Sequence, residues 1–190
     1  MCGRYYADFD TEEKVRELIH DAKKPLRTGD IHPSETATIL SSAGSNLIAE
    51  DMVWGFPGFK GSDLLINARA ETITERPAFK DSVLSRRCII PAKGFYEWSP
   101  RKEKYQFEEP GTTLFMAGCF DPQHRFVIIT TAANASVLPV HERMPLLLAE
   151  EEIEAWICEA DSMTAILQKV PKPLKSWTEY RQMTLFDQDE

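Results

Sequence analysis

Apolar residues recur at i, i+3 and i+4 in Val15, Leu18 and Ile19 behind Asp10-Thr11-Glu12-Glu13, which predicts a short helix closing near Lys24-Pro25. The period then shortens. Residues 36–41 and 46–54 are β-rich and separated by Ser-Ala-Gly-Ser, the pattern of a hairpin, with His32-Pro33 on the loop before it. Gly55, Pro57, Gly58 and Gly61 mark 55–62 as an irregular loop presenting Phe56 and Phe59, and Leu64-Leu65-Ile66 leads as a strand into Asn67. Pro77 suits the first turn of a helix running to about Arg86, with Phe79, Val83 and Leu84 as its buried side. Residues 88–91 and 94–98 read as strands. In the second, Gly94, Tyr96 and Trp98 share one side and Phe95 and Glu97 the other. Residues 104–108, 113–120 and 125–131 read as three antiparallel strands, 132–140 as a loop to His141, 146–148 as a last strand, and 150–159 and 162–170 as two helices. Beyond Val170, Pro171 and Pro173 mark a tail. The pattern predicts one α+β domain over 1–170, mainly antiparallel with peripheral helices, and a C-terminal tail over 171–190.

Length and composition agree with this, since 190 residues with 43% hydrophobic content suffice for one buried core. No apolar run approaches a membrane span, and Asp8, Asp10, Glu12 and Glu13 stand where a basic and then apolar leader would, so a cytoplasmic protein is expected. Cys2, Cys88, Cys119 and Cys158 show no C-x-x-C spacing, and the last three sit in apolar stretches where buried reduced thiols are expected. Neither a disulfide framework, a metal site nor a cofactor is indicated. The net charge of −8 argues against a phosphate-bearing partner until it is mapped. Residues 149–161 hold six acids and no Lys or Arg, which leaves −2 for the rest, and the run reads as a solvated helix face.

The candidate chemistry begins at Met1-Cys2-Gly3-Arg4. Removal of Met1 ahead of a small residue would put a thiol and an α-amine on one carbon. That amine, with a pKa of about 7.7–8.0 against about 10.4 for Lys, is free at neutral pH on the order of a few hundred times more often. It attacks carbonyls unaided, and the thiol, ordinarily near pKa 8.5, then closes a thiazolidine on the imine. Alternatively, Cys2 is an incidental small residue. Glu97 in an aromatic strand pairs, binds a ligand, or has a raised pKa suited to proton transfer. His141 stands at a loop-to-strand junction, where a surface histidine is the plain alternative, and Asn67 reads equally as a turn or capping residue. His20, His32 and His124 have no metal-like spacing.

Taken together the segments say more. Met1-Cys2-Gly3-Arg4-Tyr5, Ile66-Asn67-Ala68-Arg69-Ala70-Glu71-Thr72, the stretch from Arg86 to Trp98 containing Gly94-Phe95-Tyr96-Glu97-Trp98, Ile129-Thr130-Thr131-Ala132-Ala133-Asn134 and His141-Glu142-Arg143-Met144-Pro145 closely resemble, in order, the SRAP family of abasic-site processing proteins. The resemblance implies a barrel-like, branched sheet and a covalent thiazolidine crosslink between Cys2 and the aldehyde of an abasic site in single-stranded DNA, including junctions with duplex. It further implies that Asn67, Glu97 and His141 surround Cys2, with Glu97 as proton shuttle, His141 as second acid/base group and Asn67 orienting the sugar and the amine. Arg4, Arg69 and Arg143 would hold phosphates, with Pro33, Trp54, Phe56 and Phe59 as further DNA contacts. Trp54-Gly55-Phe56-Pro57-Gly58-Phe59 departs from the family pattern, being one residue shorter and ending in Phe; for Trp54, core packing is an equal alternative to base stacking.

Other functions remain to be weighed against this one. Met-Cys-Gly also opens class II glutamine amidotransferases, whose Cys is the nucleophile, but the Arg-Gly and Asn-Gly dipeptides they use are absent from this sequence. A thiol autopeptidase using Cys2, Glu97 and His141, and a single-strand binding module without chemistry, are the others. In the tail, Gln182, Met183, Leu185 and Phe186 resemble the peptide with which bacterial replication proteins dock on the β sliding clamp; packing onto the domain is the alternative. Such docking would make the protein nucleoid-associated.

Overall fold

The computed structural model describes residues 2–19, 25–44, 46–59 and 63–178. Strand β1 (Tyr5–Ala7) runs into helix α1 (Phe9–Leu18), which starts earlier than the pattern predicts because Asp8 is its cap: Asp8 Oδ1 accepts the Thr11 N–H at 2.9 Å. Ile19 is already extended, so the helix ends there, and the predicted close near Lys24 lies outside the described residues.

β2 (Gly29–Ile31) precedes the hairpin of β3 (Thr36–Ala43) and β4 (Asn46–Trp54), which pair from Thr36↔Val53 to Ala43↔Asn46 as the pattern predicts. β5 (Phe56–Pro57) and β6 (Leu64–Leu65) make a small separate ribbon, and β7 (Asn67–Arg69) follows. Helix α2 (Lys80–Ser85), shorter than predicted, leads to β8 (Arg87–Ala92), β9 (Gly94–Trp98), β10 (Lys104–Glu108), β11 (Leu114–Phe120) and β12 (Arg125–Ala132). Then come β13 (Arg143–Pro145), β14 (Leu147–Leu148), a 3-10 turn at Glu150–Glu152, α3 (Ile153–Cys158), α4 (Met163–Leu167) and β15 (Lys175–Thr178).

The eight-stranded sheet runs β13-β12-β4-β3-β8-β11-β14 with β7 beside β12, and a further β12–β11 pairing closes β12, β4, β3, β8 and β11 into a ring. The expected barrel-like, branched α+β architecture is therefore present. Strand β8 is buried along its whole length because α3 covers the side that does not face the ring; the Trp156 indole N–H donates to the Cys88 carbonyl at 2.9 Å. Gly118 in β11 sits where a Cβ would come within 2.4 Å of Ile90 Cδ1, so the strands close only without a side chain there.

The second sheet has the order β15-β10-β9-β1-β2. Two expectations are corrected here. β10 does not join β11 and β12; past Glu108 the chain turns through Pro110 and Gly111, the latter at φ +72°, and passes to the other sheet. The tail expected from residue 171 is built into the fold through Thr178. Pro171 lacks an N–H, so its segment is held by carbonyls: Asn134 Nδ2 donates to Pro171 O at 3.0 Å and to Lys172 O at 2.8 Å, after which β15 pairs with β10. Cys88 and Cys119 are buried as expected, whereas Cys158, at the end of α3, is exposed. The acidic run turns Ile153, Trp156 and Ile157 inward and its carboxylates mostly outward. Among the described residues no helix is long and apolar enough to cross a membrane.

Candidate active site

Cys2 is fully buried just ahead of β1. Its carbonyl accepts a hydrogen bond from Asn67 Nδ2 at 2.9 Å, and its thiol points at the Arg4 carbonyl at 3.8 Å. Asn67 opens β7, which lies parallel to β12 with Asn67 opposite Ile128. Its other amide atom, Oδ1, is buried with no hydrogen-bond partner among the described residues, so one acceptor beside Cys2 is available. One residue earlier, the Ile66 carbonyl accepts the Trp54 indole N–H at 2.9 Å, which fixes the backbone that presents Asn67.

Glu97 reaches the same place from β9. That strand pairs with β1, Tyr5 opposite Phe95, and the Tyr96 N–H donates to the Arg4 carbonyl at 2.9 Å. Strand alternation then turns Glu97 inward, 2% exposed. Burial pushes its carboxyl up from the ordinary range, opposed by positive charge, that of His141 included, and by the Trp98 N–H. The Cys2 thiol is pushed far up, chiefly by burial and further whenever Glu97 is ionised. His141, half-buried, accepts the Arg143 backbone N–H on Nδ1 at 2.9 Å. The same Nδ1 lies 3.2 Å from the Arg143 carbonyl, so the backbone of Arg143 holds this edge of the ring; in the tautomer that accepts the N–H, Nε2 carries the proton and is a donor.

Cys2, Asn67, Glu97 and His141 thus converge from four segments. The three arginines differ. Arg69 is exposed. Arg4 lies over the rings of Trp98 (5.4 Å) and Tyr96 (5.9 Å), 3.8 Å from the Asp30 carboxylate, with its buried Nε lacking a partner among the described residues. Arg143 already holds a carboxylate: its fork engages Glu71 at 2.7 and 2.8 Å, and one nitrogen also donates to Thr130 O at 2.6 Å.

Two expected DNA contacts are corrected. Trp54 is fully buried, its ring 5.2 Å from Tyr5 and stacked at 6.2 Å on Phe126, so it offers no face to a base. Phe56 is buried against Phe79 at 5.9 Å. Their neighbour Phe59 is 89% exposed. Pro33 is half-buried in a turn fastened to Trp54, whose carbonyl accepts the Ser34 N–H at 2.8 Å. Gln182, Met183, Leu185 and Phe186 lie outside the described residues. Glu71 was not foreseen as a partner of Arg143, because 72 residues separate them and no local pattern links them. A cavity of about 220 Å³ lined by Leu114, Phe115, Leu147 and Lys169 includes none of the converging residues.

Cys2, held by the Asn67 amide, thus shares one buried place with the Glu97 carboxyl, on which the His141 ring acts. The chain belongs to the SRAP family, SOS response associated peptidase, whose profile matches residues 1–185. It is similar to the abasic site processing protein YoaM of Bacillus subtilis (strain 168), 32% identical over 91% of this chain and 86% of that one. It is also similar to YoqW of the same organism, likewise described as an abasic site processing protein, at 30% identity over 91% and 87%. A solved structure from Bordetella bronchiseptica matches it with a TM-score of 0.78 over 95% of this chain and 100% of that one, at 21% identity, which shows a shared fold.

Proposed function

We propose that this protein processes abasic sites in single-stranded DNA by capturing the ring-opened sugar at Cys2. The observation that carries the reading is the Asn67 clamp on the Cys2 carbonyl with the buried Glu97 carboxyl beside it. Loss of Met1 frees the Cys2 amine next to the unused Asn67 Oδ1, which orients its lone pair by accepting an N–H. The sugar opens as Glu97, whose carboxyl burial pushes up, gives a proton to the ring oxygen and takes one back from the anomeric hydroxyl, leaving the aldehyde. The amine adds to the aldehyde carbon, and the resulting carbinolamine loses water after protonation of its hydroxyl, leaving an imine. The thiol then adds across the C=N bond, sulfur to carbon and its proton to nitrogen, which closes the thiazolidine. His141 Nε2–H donates to the sugar or its 3′ phosphate, and Arg4 and Arg69 hold phosphates.

The burial that pushes the Cys2 thiol up supports this order of events, amine first and sulfur second. It weighs against a thiolate-first peptidase or amidotransferase, which needs a depressed thiol pKa. The test is adduct formation with a single-stranded oligonucleotide carrying one abasic site. The wild-type adduct is expected to survive boiling in detergent without reductant and to weigh the sum of DNA and Met1-free protein less one water. A complex that dissociates on boiling would sink the proposal.

A further inference from the structure

The two faces of the five-stranded sheet differ in kind. Tyr5, Phe95, Glu97 and Phe107 point inward, all nearly fully buried. On the outer face the register sets Tyr6 beside Gly94, Trp98 beside Lys104, and Tyr96 beside Gln106, which in turn lies beside Trp177. Residues opposite one another on neighbouring strands point to the same side. Tyr6, Tyr96, Trp98 and Trp177 therefore share one side across four strands, from β1 to the edge strand β15, with Tyr6 and Trp98 partly open and Tyr96, 7% exposed, lying beneath Lys104 and Arg4. With strands about 4.8 Å apart, Tyr96 and Trp177, two strands away from each other, are about 10 Å apart along the row.

Cations lie on these rings. Lys104 Nζ is 4.5 Å above the centre of Tyr96, Arg4 covers Trp98 and Tyr96, and Lys175 is exposed at the edge. Two acids share this face, and both are engaged: Glu108 by the Tyr6 hydroxyl and by Gln106 Nε2 at 3.2 Å, and Asp30, opposite Tyr6, by the Tyr96 hydroxyl at 3.0 Å and by Arg4 at 3.8 Å. Trp177 is 45% exposed. A chain of net charge −8 thus keeps one face where aromatic rings alternate with Lys and Arg. The face is continuous with the active site through one residue: the Arg4 carbonyl meets the Cys2 thiol while its guanidinium lies on the outer rings.

We infer that the outer face of the five-stranded sheet is a platform for the unpaired DNA strand flanking the sugar held at Cys2, with bases stacking on Trp98 and Trp177 and phosphates meeting Arg4, Lys104 and Lys175. The inference rests on the DNA-directed reading above. A single strand presents both π faces and phosphates, and this surface answers both. An acidic peptide would satisfy the cations and leave the aromatic row without a role.

The test is fluorescence anisotropy of lesion-free single-stranded oligonucleotides on the full chain, one just long enough to cover the Cys2 site and one extending well beyond it. Wild type is expected to bind the longer strand more tightly. Trp177→Ala should weaken the longer strand roughly tenfold and leave the shorter one unchanged, while Trp177→Phe, which keeps a stacking ring, restores most of the loss. Lys104→Ala should flatten the dependence of log affinity on log salt by about 0.7. Equal affinities for both lengths, an equal loss on both with Trp177→Ala, or competition by polyglutamate as effective as by polydeoxythymidine would overturn the platform. Length-dependent, Trp177-dependent binding together with failure to form an adduct on a short abasic strand would overturn the Cys2 chemistry and support the platform.

Discussion

In the ring of β12, β4, β3, β8 and β11, strands such as β8 and β11 are buried on both faces almost throughout, whereas the five-stranded sheet buries one face and leaves the other partly in water. The ring has almost no ionisable group to spare and serves as frame; its one buried arginine, Arg87, spends its donors on the carbonyls of Val83, Leu84 and Trp156. The one-sided sheet is where sequence alternation delivers a carboxyl inward at Glu97 and cations outward at Arg4 and Lys104. The division of labour suggests that a site needs a scaffold that cannot relax, and a neighbouring sheet whose two faces carry different chemistry. Trp54 joins the two, stacked on Phe126 of the ring and packed against Tyr5 of the one-sided sheet while its indole fixes the backbone that presents Asn67.

The largest effect should come from the site itself. Cys2→Ala keeps an N-terminal amine but no thiol, so no reductant-free, heat-stable adduct is expected; an imine trapped by borohydride is the most it should give. An equally stable adduct from this variant would rule out the thiazolidine. Glu97→Gln should slow adduct formation by about 10²–10⁴-fold, the usual range for a lost general acid, with non-covalent affinity retained. It also has a stability signature. A carboxyl whose folded pKa is raised contributes stability that is fully present below its ordinary value of 4.5 and is lost as pH rises through the raised value. Wild type should therefore lose stability relative to Glu97→Gln on going from acid to neutral pH, as melting curves across that window would show; a gap independent of pH would mean that burial does not shift the Glu97 carboxyl.

Trp54 tests the join. Trp54→Ala empties a fully buried site and should cost about 3–5 kcal/mol, lowering the melting temperature by on the order of 10 °C. Trp54→Phe keeps most of the packing but loses the bond to Ile66, so it should slow adduct formation with a smaller stability loss. If it lowered stability without touching the rate, the indole would be a core residue and nothing more.

Much of this was legible in the chain. The hairpin of β3 and β4, strand β9 with Glu97 inward, and the likeness of five ordered motifs all follow from local periodicity or contiguous residues, and local signals survive folding. What escaped was decided by partners far away in sequence. Pro171 and Pro173 read as the start of a free tail because nothing nearby announces that Asn134 will hold two of the segment's carbonyls. Strand β10 carries no mark of which sheet it joins, since alternation tells faces apart and not neighbours. Phe56 in a Gly-rich stretch looks exposed; its burial depends on Phe79 arriving from elsewhere. Arg143 looks like a phosphate ligand until Glu71, also remote, occupies its fork.

That last pair yields the smallest and most discriminating prediction. Glu71 is half-exposed and Arg143 mostly covered, so their bidentate contact is screened on one side, and Glu71→Gln should cost about 1 kcal/mol or less at neutral pH. The Arg143 hydrogen bonds hold the Glu71 carboxyl below its ordinary 4.5, which means that its contribution is present above that value and is lost as pH falls through the lowered one. Wild type and Glu71→Gln should therefore converge in stability in acid, the opposite sense to Glu97. The same substitution separates two roles for the carboxylate. Arg143 keeps its bond to the Thr130 carbonyl when Glu71 is neutral, so the guanidinium stays in place while its fork is released. Non-covalent affinity for single-stranded DNA at low salt is then expected to rise a few-fold, because a phosphate no longer has to displace a carboxylate. A fall in affinity would instead make Glu71 the splint that aims Arg143, and the edge strand β13 beside the ring would depend on a surface ion pair to present its cation.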